Sequence, residues 1–297
     1  MAGRFAFDWV DAFTTRPFGG NGCVVVHDAQ ALPLAERLAL VRETSLSECA
    51  FMVGSDKADF GARYYLADRE IPMAGHPTIA VAASLVDRGL VPLTDGRAEF
   101  TLEVGAGVLP ISVRQGDAGI VITMTQSRPV FEDFLEPSDI AEVYGIDAAD
   151  IIGRPQVVST GTPFVITVLN SHEALRRARL DPARWRALNP SGAGDNALLE
   201  PFLVTLKGVA GGDTFARLLL APPLPAEDPF TGSATGCMGA YLWHHGLIDR
   251  PEFIAEQGHW MGRPGRAEVR VLGPRAAPTG VRVGGSGRVL MRGDVLL

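Results

Sequence analysis

Two stretches of the chain lack the alternation of apolar and polar positions that marks a surface element. Residues 78–85 and 234–242 consist almost entirely of Ala, Gly, Thr, Val, Ile, Met and Leu. A helix that is apolar on every side is buried on every side. Each stretch runs to a glycine, Gly89 or Gly246, the residue that most readily takes the left-handed conformation closing a helix. The segments around both stretches read as strands. The pattern therefore predicts two helices, near 76–88 and 233–245, each inside a curled sheet. Leu34 to Arg42 and Glu173 to Arg179 read instead as outer amphipathic helices, and Leu180 to Asp195 as loop or irregular surface.

The two helical stretches also repeat each other. Ala74 to Val91 aligns without a gap on Thr231 to Ile248: Gly75 meets Gly232, Thr78 meets Thr235, Ala83 meets Ala240, and Gly89-Leu90 meets Gly246-Leu247. Ahead of them, Ala62-Arg63-Tyr64-Tyr65-Leu66-Ala67 matches Ala216-Arg217-Leu218-Leu219-Leu220-Ala221, and Thr14 to Phe18 matches Thr160 to Phe164. After them come two hairpin-like alternating patterns, 109–124 and 279–291, the second with its turn at Gly284 to Gly287. Matches in the same order argue for duplication of one α+β unit. They predict two pseudo-symmetric lobes, 1–128 and 129–297.

At 297 residues and 46% hydrophobic content the chain can bury full cores without disulfides. Its net charge of −7, without a Lys/Arg cluster, argues against nucleic acid or an anionic membrane as partner. Three cysteines, Cys23, Cys49 and Cys237, without CxxC spacing, suggest neither a disulfide framework nor a zinc site. No apolar run approaches membrane-spanning length and the first residues read as a strand, so a cytoplasmic protein is expected.

Both buried helices start on a glycine followed by a polar residue, Gly75-His76-Pro77 and Gly232-Ser233-Ala234. Free N–H groups and the helix dipole suit such a start to a small anion such as a carboxylate, and two matched starts favour a site over two ordinary core helices. Asp228 could cap the second helix or reach a substrate, and His76 could relay a proton or donate a hydrogen bond. Glu48 precedes the apolar run Cys49 to Val53; partial desolvation there would suit a proton carrier, although its position alone favours an ordinary exposed glutamate. The glycine-rich stretch Phe18 to Gly22 leads into a strand rather than a helix, so it does not cradle phosphate, and GxSxG is absent. No metal or cofactor is expected.

Taken together the motifs resemble the PhzF-like family of phenazine biosynthesis, within the diaminopimelate-epimerase-like fold. The resemblance runs the whole chain: Asp11-Ala-Phe-Thr, Pro17-Phe-Gly-Gly-Asn21, Glu43-Thr-Ser-Leu-Ser-Glu48, Ile71-Pro-Met-Ala-Gly-His-Pro-Thr78, Thr160-Gly-Thr-Pro-Phe164, Glu227-Asp-Pro-Phe-Thr-Gly-Ser-Ala234, Glu256-Gln-Gly and Met261-Gly-Arg-Pro264. It implies two lobes, each a curled, mostly antiparallel sheet around a central buried helix, an active site between them, and a homodimer. It places the family's proton-shuttling glutamate on Glu48 and its other catalytic residues on His76 and Asp228. Asn21, Ser45, Met73, Gly75, Gly232 and Ser233 fall at the substrate. The implied reaction is a cofactor-independent isomerisation of a small carboxylated substrate, as with dihydro-3-hydroxyanthranilate. Departures lie close to the expected pocket: Ser45 where asparagine is common, Cys49-Ala50 where a threonine pair is, Met73 where phenylalanine is. Ala74 and Thr231 stand where racemases of the same fold carry thiols, which argues against two-thiol chemistry. Two alternatives are an epimerase or dehydratase of an amino-acid-like acid and a non-catalytic binding protein; the intact Glu48, His76 and Asp228 set counts against the latter.

Overall fold

A computed structural model describes residues 3–189, 200–222 and 224–297. In chain order the elements are β1 (Arg4–Ala12), β2 (Asn21–Val26), α1 (Leu34–Thr44), β3 (Cys49–Val53), β4 (Phe60–Tyr65), β5 (Glu70–Ile71), α2 (Gly75–Asp87), β6 (Arg97–Val104), β7 (Gly107–Gly116) and β8 (Gly119–Gln126). There follow β9 (Val130–Phe134), α3 (Pro137–Tyr144), β10 (Ile151–Ser159), β11 (Pro163–Leu169), α4 (His172–Arg177), α5 (Pro182–Leu188), β12 (Phe202–Thr205), β13 (Thr214–Leu219), β14 (Glu227–Asp228), α6 (Gly232–His244), β15 (Glu252–Gln257), β16 (Gly265–Leu272), β17 (Gly280–Gly285) and β18 (Gly287–Leu296). The fold is α+β.

Two compact units emerge. The first takes the described residues of Met1–Thr125, Gly262–Ala267 and Val283–Leu297; the second takes those of Gln126–Met261 and Glu268–Arg282. The repeat in the sequence places 262–267 and 283–297 in the C-terminal lobe instead. The reason for the difference is a backbone ladder: β18 pairs antiparallel with β1 along its whole length, from Arg4↔Leu296 to Ala12↔Gly287. Only Ser286 separates β17 from β18, so Gly284 to Gly287 is not the tight hairpin turn that the glycines suggest. The other hairpin is present, with β7 and β8 meeting at Gly116↔Gly119.

Within each unit the order of strand senses is the same. In the first, β1 is antiparallel to β2, β2 parallel to β3, β3 antiparallel to β4, and β4 parallel to β6. In the second, β10 is antiparallel to β11, β11 parallel to β12, β12 antiparallel to β13, and β13 parallel to β15. A two-residue strand precedes the buried helix in both, β5 on β4 and β14 on β13. Even the far neighbour corresponds: β10 pairs with β9, and β1 with β18. The repeat read from side chains is therefore a repeat of hydrogen-bonding topology.

Residues Gly75 to Leu85 of α2 and Gly232 to Leu242 of α6 are all buried. Helix α2 packs on β1, β2, β3 and β18, and α6 on β10 and β11. Outside the first sheet, α1 covers a second layer including Val24, Val26, Val41, Cys49, Phe51 and Tyr65. Residues Leu180 to Asp195 are not simply loop. Asp181 accepts from the N–H groups of Ala183 and Arg184, Pro182 occupies the first turn, and Trp185 is buried, which together make α5; 190–195 lie outside the described residues.

The C-terminal end of α2 is tied to its sheet by a buried carboxylate. Asp8 of β1, fully buried, accepts two hydrogen bonds from Arg88 (2.6 and 3.0 Å), one from Arg292 of β18 (2.7 Å) and one from Ser84 of α2 (2.6 Å). Burial by itself would raise its carboxyl, but Arg88, Arg292 and Ser84 outweigh that and hold it well below the usual carboxylate range. Replacing Asp8 by Asn leaves Arg88 without the carboxylate it bonds and Arg292 with Asp87 alone. Asp8→Asn is expected to cost roughly 2–4 kcal/mol of unfolding free energy, less than a fully buried pair because both arginines reach solvent; urea denaturation at neutral pH measures it.

Candidate active site

In the first unit, Ser45 ends α1 in the left-handed conformation (φ 54°) with its side chain exposed. Three residues on, the chain enters β3, whose Cys49, Ala50 and Phe51 are completely buried. Glu48 sits at that entry with a side chain 19% exposed, most of it inside the core. Its Oε2 lies 3.8 Å from Nδ1 of His76. His76 occupies the first turn of α2 and is buried; its Nδ1 faces Nδ2 of buried Asn21 at 3.1 Å, and its Nε2 has no hydrogen-bond partner among the described residues. Burial pushes the His76 imidazole from 6.5 down to about 3, so its contact with Glu48 is not a salt bridge near neutral pH. Ala74, next to buried Met73, offers no side-chain cap to α2, whose first N–H groups have no intrahelical partner. The turn is pinned instead by Thr78, which donates to the Ala74 carbonyl (2.7 Å) and meets the Tyr64 hydroxyl (2.8 Å).

The loop that delivers Asn21 is clamped. Buried Asp11 accepts from the Phe18 N–H (2.7 Å) and from Arg263 (2.8 Å), and Arg263 also donates to the carbonyls of Gly19 and Gly20. Gly20 has φ +52°, and a Cβ there would stand 1.9 Å from the Ala12 carbonyl oxygen, so only glycine fits.

In the second unit, Asp228 is buried on β14 and its Oδ2 accepts from the Thr231 hydroxyl at 2.6 Å. Gln257, at the end of β15, accepts from the Thr231 N–H (3.0 Å) and donates to the Asp228 carbonyl (2.8 Å). Gln126 donates to the Gly232 carbonyl (2.9 Å) and is oriented by Thr160 (2.6 Å). Thr231 gives no side-chain cap to α6, and Gly232 and Ser233 are buried in its first turn. Of the sequence-derived site residues, Glu48, His76 and Asn21 thus come together in the first unit, with Met73 and Gly75 flanking His76 in the chain and Ser45 at the head of the Glu48 segment. Asp228, Gly232 and Ser233 gather at the start of α6. Gln257, Gln126, Thr160, Asp11 and Arg263 had no role from sequence, although each is a polar group standing in or next to an apolar strand or quoted motif.

The family model described as phenazine biosynthesis-like protein (PhzC-PhzF) matches residues 10–293. The chain belongs to this family. Among the phenazine biosynthesis-like proteins it is 31% identical over 268 residues to an uncharacterized isomerase, YfhB, of Bacillus subtilis, covering 88% of each chain. It is 28% identical over 293 residues to the trans-2,3-dihydro-3-hydroxyanthranilate isomerase of Pseudomonas aeruginosa, covering 97% of this chain and 98% of that one. The crystal structure of the Bacillus anthracis phenazine biosynthesis protein of the PhzF family superposes with a TM-score of 0.84 at 27% identity, over 99% of this chain and 100% of that one.

In this PhzF-family chain burial raises the Cys49 thiol, next to Glu48, to about 11, and the Cys237 thiol of α6 likewise to about 11. Among the described residues no group of three His, Cys, Asp or Glu side chains could hold a metal ion, and no helix is long and apolar enough to cross a membrane. The buried imidazole has a thermodynamic signature. Folded His76 stays neutral where the unfolded chain's histidine takes a proton, so the unfolded state binds more protons and stability falls as pH drops from 6.5 towards 3. Between pH 6 and 4 His76 is expected to remove about 2–3 kcal/mol of stability. Urea titrations at the two pH values should show that part of the loss disappear in His76→Asn.

Proposed function

We propose that this chain is a cofactor-independent isomerase that moves a proton between carbons of a small carboxylated substrate, with Glu48 as the acid/base. The observation that carries this reading is the placement of a mostly buried carboxylate 3.8 Å from a buried imidazole at the uncapped start of α2. A base at that position takes a proton from a substrate carbon; the electron pair left behind spreads into the substrate's conjugated oxygens, and the same carboxyl returns the proton at another carbon. The N–H groups of the α2 start suit the negative charge that builds up meanwhile. Asp228 and the Gly232-Ser233 helix start keep the catalytic and binding roles that the resemblance implies. The dihydro-3-hydroxyanthranilate isomerase of Pseudomonas aeruginosa, similar along almost the whole chain, supports a cyclic amino or hydroxy acid as substrate class. A homodimer is part of the same proposal.

Incubating dialysed protein with chelator and a panel of small unsaturated amino and hydroxy acids in deuterated water tests the reaction type. The expected result is deuterium uptake at carbon without added cofactor. For the substrate so found, Glu48→Gln should lower turnover by about 10²–10⁴-fold and leave binding nearly intact. Turnover by Glu48→Gln at the wild-type rate would remove Glu48 from the mechanism.

A further inference from the structure

The contact between Asn21 and His76 has consequences beyond holding a side chain in place. The atom of Asn21 that faces the ring is Nδ2, 3.1 Å from Nδ1. An amide NH2 can only donate, so Nδ1 must present its lone pair, and a neutral ring then carries its proton on Nε2. Three features keep that ring neutral: it is buried, it stands in the first turn of α2 where the helix dipole disfavours a cation, and the contact with Glu48 at 3.8 Å is too long for a hydrogen bond. We propose that Asn21 fixes the tautomer of His76, so that His76 serves as a neutral Nε2–H donor to a substrate oxygen while Glu48 alone carries the proton.

Nε2 is buried without a hydrogen-bond partner among the described residues. Proteins seldom leave a buried donor unpaired, because its lost hydration is not replaced; a substrate oxygen would supply the missing acceptor. The division of labour fits the chemistry. When a carbon-bound proton leaves, charge develops on an oxygen conjugated with that carbon, and a fixed neutral donor stabilises it without capturing the proton. An imidazolium in the same place would pair with the Glu48 carboxylate and weaken it as a base. The backbone makes Asn21 a precise instrument: it is the first residue of β2, opposite Ala12 in the β1–β2 ladder, and follows the Gly20 turn that Arg263 clamps. Asn21 is on this view a positioning residue, acting on substrate through His76.

This inference rests on the proposed proton-transfer function for its purpose, but the tautomer itself can be read without activity. Long-range proton–nitrogen correlation spectra of the full-length protein, labelled at its histidine rings, report which ring nitrogen bears hydrogen; His76→Gln assigns the signals among the six histidines. The expected result is Nε2 protonated and Nδ1 bare, unchanged from about pH 5.5 to 8.5, the interval in which a free histidine titrates. In Asn21→Asp a carboxylate acceptor faces Nδ1, so the proton should move to Nδ1 or a second proton should join. Turnover should then fall by about 10²-fold, the usual cost of one charge-stabilising donor, with KM changed far less. A purely structural asparagine would leave the tautomer where it was. Nδ1–H in the wild type, an imidazolium in that interval, or an unmoved tautomer in Asn21→Asp would each overturn the proposal. If Asn21→Asp does not fold, the wild-type spectrum still decides. An Nε2–H tautomer together with an active Glu48→Gln would sink the proton-carrier reading and leave the tautomer standing.

Discussion

A helix buried on every side can carry polar groups only where each one is answered, and that constraint organises the first unit. Helix α2 is built mainly of Ala, Val, Ile and Leu, and its small side chains let β1, β2, β3 and β18 approach it. Its polar residues are few: Thr78 bonds Tyr64, Ser84 bonds Asp8, and His76 meets Asn21 through Nδ1, while its Nε2 is the exception, without a partner among the described residues. The Asp8 network fixes one end of the rod and Thr78 the other. The orientation of His76 beside Glu48 follows from a register set by buried carboxylate and hydroxyl contacts rather than by the surface. The start of α6 obeys the same rule with different chemistry, using Gln257 and Gln126 to satisfy groups around Thr231 and Gly232.

Much of this was legible in the sequence because local composition carries it. A run such as Ile79 to Ala83 has no polar face to turn towards water, so its burial could be read directly, and the helix bounds differ from those read by about one residue. The duplication was legible because the same turns and helix starts recur in order. Glu48 is singled out by resemblance alone; its own surroundings argue only for a strand entrance. The structure adds that this entrance faces a buried histidine.

What was not legible depends on partners far apart in the chain. Nothing in the alternation of β18 says that its neighbour is β1, because a strand's pattern records which faces are buried and not which edge it joins. The roles of Asp11 and Arg263 were hidden for the same reason: each looks like an isolated charge until the fold makes them a pair across Gly20. Helix α5 was missed although Asp181-Pro182 is a good start signal, because the segment is short and only Trp185 is buried.

The pairing of β18 with β1 also bears on the order in which the molecule assembles. In the second unit β10 finds its neighbour β9 in the segment just before it, so that ladder can zip from nearby pieces. In the first unit the ladder joins Arg4 to Leu296, and β1 must wait for a strand from the other end of the chain. The entropy of closing so large a loop grows only logarithmically with length, so the equilibrium cost is modest, but such non-local pairings slow folding. The half of the molecule that holds Glu48 and His76 is thereby the half whose sheet cannot be completed early. During synthesis its bare β1 edge stays open to water, and to other chains, until β18 has emerged.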